Sequence, residues 1–343
     1  MAVVGASPET LWTRNILGGL QRGGYRGEVW CVNPGRQTVL GYPCFPSIGT
    51  LPSSPDMAVL LLSHDRVPDA LRQLAAKGCL AAYILAAGFE DKQKLAELRD
   101  LVNDLGMLVL GPNCNGFIRP DAGLHMWTGP IPRPYQTGSL AIVAQSSAVI
   151  ASTITSAWDR ALGFSAMIGT GNEVNYTLAD ALEYLSANAD TKAVICYLEQ
   201  FGDFLRFTQA VLRCRQNDKV VIVVAAGRSQ LSRKIPLSHS GAVTAEPEIA
   251  RAALDALGAI QARDIDEALD AASLFVQLPK RAWRPIRNVG VVTISGGYGA
   301  LAADALADEG LALPTLPREV VEVLPEIVPR LNPMDLTATV YGW

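Results

Sequence analysis

The chain has 343 residues, a formal net charge of −4 and only three histidines; 49% of it is hydrophobic and 18% charged. That length implies two or three domains, and the balance fits an α/β protein whose strands are buried on both faces. The overall negative charge does not attract nucleic acid, and no apolar run reaches the length needed to cross a membrane. No stretch reads as a signal peptide. The six cysteines follow no CxxC or His-paired spacing, which argues against zinc and for a reducing, cytoplasmic setting.

The predicted elements begin at once. "AVVGAS" reads as a buried strand, Trp12 to Arg22 as a helix and "EVWCVNP" as a second strand. "DMAVLLLS" is a strand followed by a helix from Val67 to Lys77; "AAYILAA", a helix from Lys92 to Leu105 and the strand "MLVLGPN" complete the first cycle. Short β-branched runs alternating with amphipathic helices predict a parallel, doubly wound sheet. "WTGPIPRPYQTGS", rich in proline and glycine, reads as a linker. A second cycle opens at "LAIVAQSSA", places strands at 163–168, 193–199 and 220–225, and closes with a helix from Asp264 to Val276. After the linker "LPKRAWRPIR", "VGVVTISGGYGALAADALADEG" opens a third cycle. The expected domains are therefore 1–126, 138–278 and an incomplete 287–343, the last needing further sequence or a partner to cover its apolar faces.

In doubly wound sheets, ligands bind at the carboxyl ends of strands, beside helix N-termini. The first such turn, "GASPETLWTRN", offers Gly5, Ala6, Ser7 and Arg14 but lacks the full GxGxxG pattern, and the second strand ends in Asn33 where a nicotinamide ribose needs an acid. A phosphate-rich nucleotide suits this turn better; a plain corner with a capping serine is the other reading. "GPNCNG" follows a strand. Its Asn113 and Asn115 can bond the backbone or a ligand, and Cys114 reads as a small buried residue more readily than as a nucleophile. Gln145, Ser146 and Ser147 of "AQSSA" stand at a second helix N-terminus, as an anion site or as ordinary caps. Glu199 ends a central strand, where it can orient a histidine or sit as a surface carboxylate. His64 follows a strand, and His125 is expected to be structural or on the surface. His239 lies in "SHSGA", a loop of small polar residues that packs little; the loop is either an ordinary polar turn or the seat of a chemically active imidazole.

Taken in order, "VVGAS", "GPNCNG", "AIVAQSSAV", "GFSAMIGTGNEVNYTLADALEYL", "AVICYLEQ", "SHSGA" and "NPMDLTA" resemble the NDP-forming acyl-CoA synthetases, the superfamily that includes the succinyl-CoA ligase α subunit. The resemblance spans nearly the whole chain. It implies a Rossmann-like coenzyme A-binding domain followed by flavodoxin-like domains. Gly5, Ala6, Ser7, Arg14, Asn33 and Arg36 would lie near the nucleotide end of coenzyme A, with Ser63, Ala87, Gly88, Asn113 and Cys114 along the rest of its path. His239 would be the transiently phosphorylated residue, with Glu199 stabilising it and Gln145, Ser146, Ser147, Ser238, Ser240 and Gly241 around the phosphate. Gly171, Asn172 and Glu173 would line the same site.

The implied activity is ATP-dependent ligation of a small carboxylic acid to coenzyme A. ATP and Mg2+ would be held by an ATP-grasp domain or subunit outside this chain, in a homo- or hetero-oligomer. A non-catalytic acyl-CoA-sensing module is the alternative, and the intact "SHSGA" with Glu199 favours the enzyme. Two departures stand out. Gly35 occupies the position where the family often has lysine, with Arg36 next to it, and Ser147 replaces a glycine of the phosphate nest.

Overall fold

The computed structural model describes residues 1–131, 134–227, 229, 231–232, 247–326 and 328–336, with the side chains of 247–250 outside the description. The chain divides into two compact units, Met1–Leu278 and Pro279–Trp343.

The larger unit holds two sheets. The first is built from β1 (Ala2–Val4), α1 (Leu11–Gly23), β2 (Trp30–Val32), β3 (Thr38–Val39), β4 (Tyr42–Phe45), β5 (Met57–Leu60), α2 (Val67–Ala76), β6 (Ala81–Ile84), α3 (Lys92–Asp104) and β7 (Leu108–Leu110). Its strand order is β3-β4-β2-β1-β5-β6-β7. All its pairings are parallel except the edge hairpin β3–β4. The chain leaves β1 for β2 on one side and later returns to β5 on the other, so a crevice opens at the carboxyl end of β1.

The second sheet uses β8 (Gly116–Arg119), β9 (Leu124–Trp127), β10 (Thr137–Ala144), α4 (Ser147–Trp158), β11 (Phe164–Gly169), α5 (Leu178–Ala187), β12 (Ala193–Leu198), α6 (Phe204–Gln216), β13 (Val220–Ala225), α7 (Pro247–Leu257), β14 (Ile260–Gln261) and α8 (Ile265–Gln277). Its order is β14-β13-β12-β10-β11-β8-β9, which puts the switch point at β10, between β11 and β12. The central strands are mostly apolar and mostly buried, Leu140–Ala144 of β10 and Ala193–Cys196 of β12 completely so, as a sheet covered on both faces requires. A Rossmann-like unit is thus followed by a flavodoxin-like one, the architecture the alternating pattern predicts.

The division between the sheets falls earlier than residue 126. The hairpin β8–β9 pairs antiparallel with β11 and so belongs to the second sheet. The predicted linker is also shorter than expected, because Trp127 ends β9 and Thr137 starts β10. All six cysteines are buried and unpaired, and among the described residues no helix is long and apolar enough to span a membrane.

The smaller unit contains β15 (Val292–Thr293), α9 (Gly296–Asp308), α10 (Arg318–Val323) and β16 (Met334–Asp335), with β15 and β16 parallel. Asn332 ties it internally, donating from Nδ2 to the carbonyls of Val289 and Pro314.

The two sheets of the larger unit are joined by a seam. Residues 172–176, after β11, run beside 107–113, which contain β7. The amides of Asn172, Val174 and Tyr176 donate to the carbonyls of Pro112, Gly111 and Val109 at 2.9, 2.9 and 3.3 Å. Asn175 fills the remaining places, accepting from the Val109 amide at 2.8 Å and donating to the Met107 carbonyl at 2.8 Å. Gly171 makes the entry possible. Its φ is +61°, and a Cβ there would meet the Pro112 oxygen at 2.3 Å. Asn175→Ala strands the Val109 amide between the layers, and is expected to lower unfolding free energy by about 1–3 kcal/mol in denaturant titrations.

Candidate active site

The seam carries the turn after β7 into the switch point of the second sheet. A cavity of about 260 Å3 results. Leu85 and Asn113–Asn115 wall it from the first-sheet side; Gln145–Ala148, Gly171–Asn172 and Glu199–Gln200 wall it from the carboxyl ends of β10, β11 and β12. Its lining is mainly polar.

Each predicted residue here has a definite job. Ser146 is the N-cap position of α4, yet its side chain makes no capping bond, so the ordinary-cap reading does not hold for it. A helix N-terminus leaves its first amides without intrahelical partners, and here no N-cap side chain takes one. Gln145 lines the cavity with its side chain engaged on backbone. Its Oε1 accepts from the amides of Glu199 and Gln200 at 2.7 and 3.0 Å, and its Nε2 donates to the Gln200 carbonyl at 2.9 Å. It thus clamps the end of β12, the segment from which Glu199 projects.

Ser147 is likewise turned inward, where its Oγ accepts from the Asn115 amide at 3.0 Å. The serine in place of the family's glycine is a strut under the 113–115 turn. Cys114 is buried, and burial pushes its thiol up to about 12, which suits packing rather than attack. Asn113 donates to Asn172 Oδ1 at 3.4 Å, while Asn172 Nδ2 and Gln200 Oε1 are buried without partners. Asn172 and Gln200 both line the polar cavity, where such atoms call for a partner.

Glu173 sits behind this wall, buried, with φ +54°. Thr170 Oγ1 and the Leu178 amide donate to its Oε1 at 2.8 and 3.0 Å. Burial raises its carboxyl to about 7 against these hydrogen bonds and one from Gln145. Gln200, Thr170 and Ala148 escaped the sequence reading; only the adjacency of Gln200 to Glu199 pointed to it. Ser238, His239, Ser240 and Gly241 lie outside the described residues.

A second cavity, of about 640 Å3, opens at the switch point of the first sheet. Gly5, Asn33, Ser63 and Arg66 are among the residues lining it. Gly5 has φ +82°, and a Cβ there would lie 2.4 Å from the Leu61 oxygen, so only glycine permits this close turn. Asn33 locks the floor, donating to the Ala6 carbonyl at 2.8 Å and accepting from the Gly35 amide at 3.0 Å.

Helix α1 is capped by Thr10, whose Oγ1 accepts from the Thr13 amide at 3.3 Å. Ser7 is not the cap: its hydroxyl donates to Glu9. Arg36 Nη2 meets Glu9 Oε1 at 2.5 Å, and the Ser7 bond first, then a backbone hydrogen bond at Glu9 itself and the Arg36 charge, hold the Glu9 carboxyl below its usual range. Arg14 is exposed in the first turn of α1, and Ala87 and Ser63 are exposed at the ends of β6 and β5. His64 packs edge-on against Phe89, its ring centroid 6.0 Å away. His125 is structural: buried on β9, it bonds Tyr135 at 3.2 Å, and burial lowers it to about 4.

Fold and cavities define a Rossmann-like sheet and a flavodoxin-like sheet, each with a cavity at its switch point. Comparison with known proteins agrees. A model described as "CoA binding domain" matches residues 1–120, and one described as "Succinyl-CoA ligase like flavodoxin domain" matches residues 137–275. The chain is 31% identical over 349 residues to the ADP-forming acetate–CoA ligase I of Archaeoglobus fulgidus, covering 98% of this chain and 49% of that protein. It is 30% identical over 326 residues to the α subunit of the ADP-forming acetate–CoA ligase II of Pyrococcus furiosus, covering 92% of this chain and 69% of the subunit.

Among solved structures, the dinucleotide forming acetyl-coenzyme A synthetase 1 of Ca. Korarchaeum cryptofilum, in complex with phosphate and ADP, gives a TM-score of 0.85 at 27% identity, covering 98% of this chain and 74% of that one. The chain spans about half the length of the first of these relatives. It belongs to the ADP-forming acyl-CoA synthetase family, aligning with the α-subunit portion.

The Glu173 carboxyl has a measurable consequence. A group raised from 4.5 to about 7 keeps its proton in the folded state while the unfolded chain has lost it. Its contribution to stability is therefore full below pH 4.5 and is lost as pH rises through about 7. Glu173→Gln keeps the shape without the charge. It is expected to match the parent at low pH and to exceed it by up to about 3 kcal/mol above neutrality, flattening the pH slope of denaturant-derived unfolding free energies.

Proposed function

We propose that this chain is the coenzyme A-binding and phosphohistidine-bearing portion of an ADP-forming ligase that joins a short carboxylic acid to coenzyme A. The observation that carries this reading is the polar cavity at the carboxyl ends of β10, β11 and β12. It is walled by the uncapped N-terminus of α4 and has Glu199 at the end of the neighbouring strand. A volume of about 260 Å3 suits a small acid and a phosphoryl group. The relatives named above, which act on acetate, favour a short acid, and their being ligases favours catalysis over sensing.

In this reading His239 attacks the γ-phosphorus of ATP and releases ADP, with Mg2+ and the nucleotide held by an ATP-grasp portion outside residues 1–343. Neutral imidazole is the nucleophile, and a carboxylate on its other nitrogen, assigned to Glu199, fixes the tautomer and stabilises the cation formed. The carboxylate substrate then takes the phosphoryl group from His239, giving an acyl phosphate and free imidazole. The coenzyme A thiol, as thiolate, attacks the acyl carbon, forming the thioester and expelling inorganic phosphate. The α4 amides supply donors where phosphate charge accumulates. Every step is reversible, so the same residues serve ATP synthesis from an acyl-CoA. Coenzyme A would lie against the first sheet, its nucleotide end near Gly5, Asn33 and Arg36; the tight Gly5 turn supports a backbone-lined phosphate site there.

The test is a labelling experiment on the complete enzyme with its ATP-grasp portion. Incubation with γ-labelled ATP and no acid is expected to leave an acid-labile, base-stable label that disappears in His239→Ala. A label that survives that substitution overturns the assignment. Calorimetry provides a separate check on the first sheet: coenzyme A should bind and NADH should not, and equal or tighter NADH binding contradicts the coenzyme assignment.

A further inference from the structure

Glu9 has no role in the reading above, yet it touches two of the side chains that the reading gives to the coenzyme. It lies in the turn between β1 and α1. One carboxylate oxygen meets Arg36 Nη2 at 2.5 Å, and the other accepts from the Ser7 hydroxyl. Arg36 belongs to the turn after β2, and β2 is the hydrogen-bonded neighbour of β1. The ion pair therefore bridges the two turns flanking the crevice where Gly5 and Asn33 line the cavity.

Two oxygens of one anion, set against a guanidinium and a hydroxyl at the opening of a helix, form the pattern in which a phosphate is held. Here the anion is the chain's own. The helix end is closed from the inside by Thr10, so Arg36 and Ser7 are the groups with most to gain from an incoming phosphate, and both are engaged. The Glu9 side chain is 65% exposed, so nothing in the core holds it in place and it can swing away.

We propose that Glu9 occupies the seat of a coenzyme A phosphate in the ligand-free chain, so that the coenzyme binds by displacing it and Glu9 sets the coenzyme affinity. The inference rests on the reading that the first sheet binds coenzyme A. Displacement exchanges one acceptor for another at Arg36 and Ser7, and it leaves a released carboxylate near an arriving anion. Both effects make coenzyme binding weaker than the cationic turn alone would give. Release of products that carry the same phosphates is favoured for the same reason.

The experiment is calorimetric titration of coenzyme A into the intact protein, its Glu9→Gln and Arg36→Ala variants and the double variant, at low and moderate salt. Glu9→Gln keeps an acceptor for Ser7 but removes the charge. It is expected to tighten coenzyme A binding about three- to tenfold, more at low salt, and to gain little when Arg36 is already alanine. Glu9→Ala should tighten binding in the same direction, and unchanged thermal midpoints would show both variants folded. Dephospho-CoA run alongside assigns the seat: equal tightening points to the pyrophosphate, and loss of the effect points to the 3′-phosphate. Unchanged binding in Glu9→Gln overturns the proposal. Weaker binding does so too, because it makes Glu9 a ligand of a ribose hydroxyl rather than a competitor. If neither the parent nor Glu9→Gln binds coenzyme A, the coenzyme reading of the first sheet itself fails, and this inference falls with it.

Discussion

The seam between residues 107–113 and 172–176 is the interaction on which the functional architecture depends. Each sheet has its own switch point and could hold a ligand alone. The seam makes them share one. The same backbone that leaves β7 and donates from Asn113 to the Ala86 carbonyl also receives the amides of Asn172 and Val174. The wall of the second-sheet cavity is thereby supplied by the first sheet. A shift in this pairing would move Asn113–Asn115 and disturb the packing as well, because Met107, Val109 and Val174 of the seam belong to one hydrophobic core and Leu110 to another that runs through both sheets.

The two strand–turn–helix corners look alike in sequence and differ in physics. In "VVGASPET" the helix that follows is closed by its own Thr10, and the serine of the turn is diverted to a carboxylate. In "IVAQSSAV" the cap position is filled by a serine that does not cap, and both flanking polar residues face inward to brace other backbone. At the first corner a side chain reaches across from the neighbouring turn, Arg36 to Glu9. The second leaves its helix dipole and free amides uncovered.

Alternation of β-branched runs with amphipathic helices made the parallel sheets legible, and β13 spans the residues the pattern indicated. The first-sheet edge was not legible. Strands β3 and β4 are two and four residues long, and Leu40 at φ +49° occupies a turn position that composition assigns to glycine or asparagine. The hairpin β8–β9 was hidden for another reason: its partner β11 lies far downstream, and local periodicity carries no record of distant pairing. At the site, sequence located the strand ends where Gln145, Ser146, Asn172 and Glu199 converge, because switch-point topology fixes them. It could not say which way an amide faces; the Gln145 side chain braces the end of β12 while Gln145 lines the cavity. Nor could it see that Glu173 is sealed from water, since burial of a loop carboxyl comes from packing by separate elements.

The burial of all six cysteines reaches beyond packing. Cys31 and Cys114 are both pushed to about 12 by burial, so neither offers a thiolate at neutral pH. A protein that handles a cosubstrate with a free sulfhydryl faces a chemical hazard whenever its surroundings turn oxidising, because the cosubstrate can become covalently tethered to any surface thiol through a mixed disulfide. Of the six cysteines, Cys114 lines the polar cavity, and it is buried there. Burial of all six thiols keeps them from the exposed surface, where such a mixed disulfide would form first.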